Sequence, residues 1–97
     1  MSKKIIKTKK GDLGYRLPDI SEGYEYLALV EKLDQPGDMY RARGKIIARM
    51  GELIEFKALG YNSYEEVLGD KENMREPLTV IAKEIFEDAM DLIRKKD

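Results

Sequence analysis

Five lysines stand among the first ten residues: Lys3, Lys4, Lys7, Lys9 and Lys10. A cluster of that density can neutralise phosphate, and such binding weakens steeply with salt. The competing reading is charge along a strand, where Lys on an exposed edge discourages unwanted pairing. No aromatic residue interleaves the run, and the whole chain carries a formal charge of −1. The strand-edge reading is therefore favoured, and nucleic acid is the alternative partner rather than the expected one. Other chemistry narrows quickly. The chain has neither His nor Cys. That removes the commonest general base, the usual zinc ligands, thiolate nucleophiles and disulfides. The carboxylates are scattered among lysines, with no alternating Asp/Asn loop for Ca²⁺. Gly37 to Gly44-Lys45 has the wrong spacing for a phosphate loop, and Ile46 follows where Ser or Thr is needed. The expectation is a protein without catalytic residues, metal or cofactor.

A different kind of candidate site lies in the stretch from about Met39 to Ala58. Ile46, Ile47, Met50, Leu53 and Ile54 fall three and four apart, as on one face of a helix. Beside them Gly44, Gly51 and Ala58 recur every seven residues, with Ala48 between the first two. Small residues at that spacing form a shallow seam. Each Gly inside a helix costs roughly 1 kcal/mol relative to Ala. Close approach of another backbone would offset that, either inside the monomer or from a second subunit or partner. Gly44, Ala48, Gly51 and Ala58 are thus the candidate partner-binding residues.

The elements that must position these residues follow from local patterns. Residues 3–17 alternate as a β-hairpin around Lys10-Gly11-Asp12, and Pro18 closes it. Leu13, Tyr15 and Leu17 form the apolar face that needs cover. Ser21 is the expected N-cap of a first helix from about Glu22 to Leu33. Tyr26, Leu27, Val30 and Leu33 make its inner face, with Tyr24 and Ala28 on the flank. Asp34-Gln35-Pro36-Gly37-Asp38 reads as a turn, so the first two helices are expected to be antiparallel neighbours. The long second helix is expected to end near Gly60. Ser63 and Glu66 form a capping box for a short helix that stops at Gly69-Asp70, and Tyr61 and Tyr64 beside it could pack inward or face a partner. The last helix is expected to begin between Asn73 and Pro77, with Pro77 in its first turn. Leu78, Ile81, Ala82, Ile85, Phe86, Ala89, Leu92 and Ile93 form its core-facing stripe, with Val80 and Met90 off centre. Arg94, Lys95 and Lys96 suit its C-terminus.

These patterns predict a mainly α fold. It is a small bundle of three main helices plus one short helix, with an N-terminal β-hairpin, in one domain spanning 1–97 (hairpin 1–18, helical body 21–97). No stretch approaches the roughly 20 apolar residues of a membrane span, and no apolar run suits a signal peptide. A cytoplasmic protein is the expectation.

Residues Leu13 to Leu33 read LGYRLPDISEGYEYLALVEKL, a strand closing on Leu-Pro and a helix opening with Ser-Glu-Gly. With an acidic helical body, an interrupted middle and a charged terminal helix, the layout resembles the small tail assembly chaperones of long-tailed bacteriophages. The resemblance implies a non-enzymatic protein that coats a tape-measure protein and self-associates, acting in the host cytoplasm. It supplies no site residues. The alternative reading is a small nucleic-acid-associated or inhibitory phage protein using the Lys-rich N-terminus.

Overall fold

The computed structural model describes the backbone of residues 3–31 and 39–96 and the side chains of residues 3–30 and 40–91. The expected turn at 34–38 and the side chains of Leu33, Leu92, Ile93, Arg94, Lys95 and Lys96 lie outside the described residues. Two strands, β1 (Lys4–Thr8) and β2 (Gly11–Tyr15), precede four helices. These are α1 (Ile20–Glu31), α2 (Met39–Arg49), α3 (Tyr64–Gly69) and α4 (Lys71–Lys96). The predicted mainly helical fold with an N-terminal hairpin is what the chain adopts.

The hairpin is antiparallel, with Lys4 opposite Tyr15, Ile6 opposite Leu13 and Thr8 opposite Gly11. The turn is therefore Lys9-Lys10, two residues earlier than the Gly11-Asp12 pair suggested. No described non-Gly residue has positive φ, so this is not the mirror-image turn that two-residue hairpins favour. Gly11, at φ 129°, absorbs the mismatch where the chain enters β2. The Thr8 hydroxyl donates to the Gly11 carbonyl at 2.8 Å and accepts from the Lys10 amide at 3.0 Å.

Two of the helix starts differ from expectation. Asp19, not Ser21, caps α1: its Oδ1 accepts from the Glu22 amide at 2.8 Å, and Glu22 Oε1 accepts from the Asp19 amide at 3.0 Å. This reciprocal pair satisfies two backbone donors at once. At α4, Asp70 supplies the cap, accepting from the Asn73 amide at 3.3 Å through Oδ1. The helix starts at Lys71, and Pro77 lies inside it rather than in its first turn. The Ser63 cap of α3 is as expected, with Oγ accepting from the Glu66 amide at 3.3 Å.

The predicted helix over 39–58 does not form as one element. It ends at Arg49, and two 3₁₀ turns follow, Met50–Leu53 and Phe56–Leu59. Between them Ile54 is extended, with φ −115° and ψ 148°, and bridges Tyr15. The Arg16 amide donates to the Leu53 carbonyl at 3.0 Å, and the Glu55 amide donates to the Gly14 carbonyl at 2.8 Å. These two bonds satisfy the outer edge of β2, which a continuing helix would leave open. Gly60, at φ 94°, closes the second 3₁₀ turn.

One core joins these elements. Leu13 and Tyr15 from the hairpin meet Tyr26 of α1, Ile46 of α2, Leu53 and Ile54 of the bridging segment, and Val67 of α3. The stripe Met74, Leu78, Ile81, Ala82 and Ile85 of α4 completes it. In the described part of the stripe, through Ala89, all residues but half-buried Phe86 are buried as the period predicts, while Val80 is 49% exposed.

Candidate functional site

The four seam residues do not share one face. Gly51 sits in the first 3₁₀ turn under the ring of Tyr64, where an added Cβ would lie 2.7 Å from Cγ. The Tyr64 hydroxyl is held in turn by the Ile47 carbonyl. At Gly51 the close approach is therefore internal. Ala58 is exposed in the second 3₁₀ turn, beyond the break at Ile54 that removes it from the helix of Gly44. Gly44 and Ala48 remain in α2, both exposed, and an added Cβ at Gly44 would meet no atom of the described residues within 4 Å.

Gly44 lies among apolar residues on one side of α2 and beside the charges of Arg41 and Lys45 on the other. Tyr40, Gly44, Ile47 and Ala48 share one helical face by their spacing. Tyr40 is 84% exposed. Half-buried Ile47 opens onto a groove of about 380 Å³ where α2, α3 and α4 meet. Val67, Leu68 and Leu78 line it, and Lys71 and Arg75 stand on its rim. Sequence reasoning found the small residues but not the groove, because its walls come from three elements far apart in the chain.

The five N-terminal lysines are divided. Lys3 pairs with Glu55. Lys4 Nζ donates to Glu84 Oε2 at 2.7 Å, and Tyr15 Oη donates to Glu84 Oε1 at 2.8 Å. Lys10 lies over the Tyr61 ring, 4.6 Å from its centroid. Lys7 on β1 and Lys9 in the hairpin turn are exposed. Three members of the alternative phosphate cluster thus face protein groups.

The carboxylates with displaced pKa values are each held by partners within the fold. The bidentate Arg16 guanidinium, at 2.6 and 3.0 Å, and then the Asp19 amide bring Glu22 down to about 2. At Glu84 burial alone would raise the carboxyl, but the hydrogen bonds from Lys4 and Tyr15 and the Lys4 charge outweigh it, and it is lowered. Desolvation and then the Glu84 hydrogen bond push Tyr15 up to about 12. The Tyr61 hydroxyl donates to Asp70 Oδ2 at 2.5 Å. Burial, followed by that bond, lifts Tyr61 to about 12, while the same bond and the Asn73 side chain lower Asp70. Both tyrosines that could have faced a partner, Tyr61 and Tyr64, are therefore turned inward. Tyr26 Oη and Arg43 Nε are buried without a hydrogen-bonding partner among the described residues. No described group of three or more carboxylates could hold a metal ion. No described helix is long and apolar enough to cross a membrane.

No family model matches this chain, and neither a curated protein nor a solved structure matches it.

Proposed function

We propose that this chain is a non-enzymatic interaction factor whose outer α2 face takes an amphipathic helix from another protein. The reading belongs to the class of activity implied by the tail-assembly-chaperone resemblance, in which a small helical protein covers apolar helical segments of a tape measure. The observation that carries it is Gly44. A glycine inside a helix costs roughly 1 kcal/mol relative to Ala, and no close contact among the described residues offsets it here. Ala48 continues the low surface, exposed Tyr40 flanks it, and the groove of Ile47, Val67, Leu68 and Leu78 offers apolar cover to a second helix. Lys71 and Arg75 favour a helix with an acidic flank. The engagement of Glu22, Glu84 and Asp70 in pairings within the fold supports a role outside catalysis.

The test pairs light scattering, over two decades of protein concentration, with titration of a labelled amphipathic Leu-Ala-Glu helix. The expected result is self-association or peptide binding that the double change Gly44→Glu and Ala48→Glu weakens by roughly tenfold or more, with helix content unchanged. A strict monomer that also ignores the peptide overturns the reading. So does association indifferent to both substitutions.

A further inference from the structure

The hairpin has two outer edges, and the chain treats them differently. Residues Leu53 to Glu55 close the edge of β2 through the two backbone hydrogen bonds to Gly14 and Arg16. The sheet has only the two strands β1 and β2, so among the described residues β1 has no neighbour on its other side. The two-residue turn makes Thr8 and Gly11 the closing hydrogen-bonded pair. Alternation from there leaves Ile5 and Lys7 at non-hydrogen-bonded positions. Their amides and carbonyls point off the open edge, and no hydrogen bond from elsewhere among the described residues reaches them. Both side chains are exposed, Ile5 by 63%.

A groove of about 390 Å³ runs between β1 and the first half of α4. Ile6, Pro77 and Val80 provide its apolar wall, and Val80 is 49% exposed. Lys7 and Lys9 belong to the strand side, Glu72 and Glu76 to the helix side. From Lys3 to Lys10 the chain has five lysines and no carboxylate.

From this geometry we infer that the open edge of β1 binds an extended segment of another protein in which acidic and apolar residues alternate. The segment adds as a third strand. Its backbone pairs with Ile5 and Lys7, its apolar side chains lie toward Ile6, Pro77 and Val80, and its acidic side chains stand beside Lys7 and Lys9. Charge selects this occupant over a second copy. Antiparallel pairing of two β1 strands would set one lysine-rich edge against another, and like charges opposed across a strand pair are unfavourable. The lysines that repel a second copy are the ones that attract an acidic strand. Nucleic acid fits less well, since Lys3, Lys4 and Lys10 are directed to Glu55, Glu84 and Tyr61, and phosphate does not satisfy the strand's backbone donors and acceptors together. This surface is separate from the α2 face, so either proposal can fail without the other.

The experiment titrates the full chain at low salt with a dye-labelled, capped Glu-Val-Glu-Val-Glu peptide. Three further probes are compared: Lys-Val-Lys-Val-Lys, the acidic peptide N-methylated at alternate residues, and oligothymidylate. The acidic peptide is expected to bind and to slow amide exchange at Ile5 and Lys7. N-methylation removes backbone donors, and Ile5→Pro removes the outward amide without touching the hairpin ladder. Each is expected to weaken binding by roughly tenfold, the scale of one or two hydrogen bonds. Lys7→Glu with Lys9→Glu should reverse the preference between the two charged peptides. The inference is overturned if the acidic peptide does not bind, or if the N-methylated form binds equally well. Tighter binding of oligothymidylate would also overturn it, as would a β1-dependent dimer seen by light scattering. Should Ile5→Pro disturb the fold, the N-methylated peptide and the exchange measurement decide the question on the unaltered chain.

Discussion

Gly44 and Gly51 carry the same residue seven positions apart and are constrained in opposite ways. At Gly51 a methyl group would enter the space of the Tyr64 ring, close to Cβ and Cγ, where the side chain has little freedom to swing away. The Tyr64 hydroxyl bond to the Ile47 carbonyl restrains the far end as well. Gly51→Ala is therefore expected to destabilise the fold by about 1–3 kcal/mol. Gly44→Ala meets open space in a helix and is expected to stabilise it by about 0.5–1 kcal/mol. Urea denaturation of the two variants measures both signs. If both substitutions stabilise, the packing of Tyr64 over Gly51 is not the constraint described. The sequence pattern put these two glycines in one class because spacing records which residues are small, not what lies above them. Tyr26 is a further case beyond the reach of pattern. Its spacing places the ring in the core, but nothing local indicates that its hydroxyl is buried without a partner among the described residues.

Among the elements, legibility followed how much of the deciding interaction was local. Strand alternation and the stripe of α4 were readable because burial on one face imposes its period directly on the chain. The Asp19-x-x-Glu22 spacing was also present, but Ser21 offered a competing cap two residues on. The cap that forms is the one whose Glu also reaches Arg16. The end of α2 could not be read: Met50, Leu53 and Ile54 keep helical spacing, and the break is set by the edge of β2 instead. The α1 cap also gives a pH prediction. Glu22 falls from 4.5 to about 2 on folding. Because the folded value is depressed, the stabilisation is fully present above 4.5 and is lost as pH falls toward 2. The partial exposure of Arg16 and Glu22 screens the pair, so Glu22→Gln is expected to cost on the order of 1 kcal/mol at neutral pH. The difference from the unaltered protein should shrink across that acid window when thermal denaturation is followed at a series of pH values. A constant difference down to pH 2 would rule out ionisation of Glu22 as the cause.

For the molecule as a whole, the hairpin is a wall of the core and not an appendage. Leu13 is fully buried, and Tyr15 reaches past it to Glu84 in the middle of α4. Leu13→Ala is expected to cost about 2–5 kcal/mol, a large fraction of the roughly 5–15 kcal/mol available to a domain. Chemical denaturation should show the loss in the helical signal although the mutation is in a strand. Retention of full helical stability would mean that the helices hold together without the hairpin.

The Lys4–Glu84 ion pair joins residues 80 apart, and the Tyr15–Glu84 bond joins residues 69 apart. On the ribosome the order of arrival then matters. At roughly 5–20 residues per second, β1 and β2 emerge several seconds before the helix that covers them. For that interval the first strands to be made have no roof, and the closing loops are nearly as long as the chain. The native hairpin is thus an early segment with a late partner, so docking of α4 is the step that ends its exposure. A slow stretch of translation placed between β2 and α4 would lengthen that exposure.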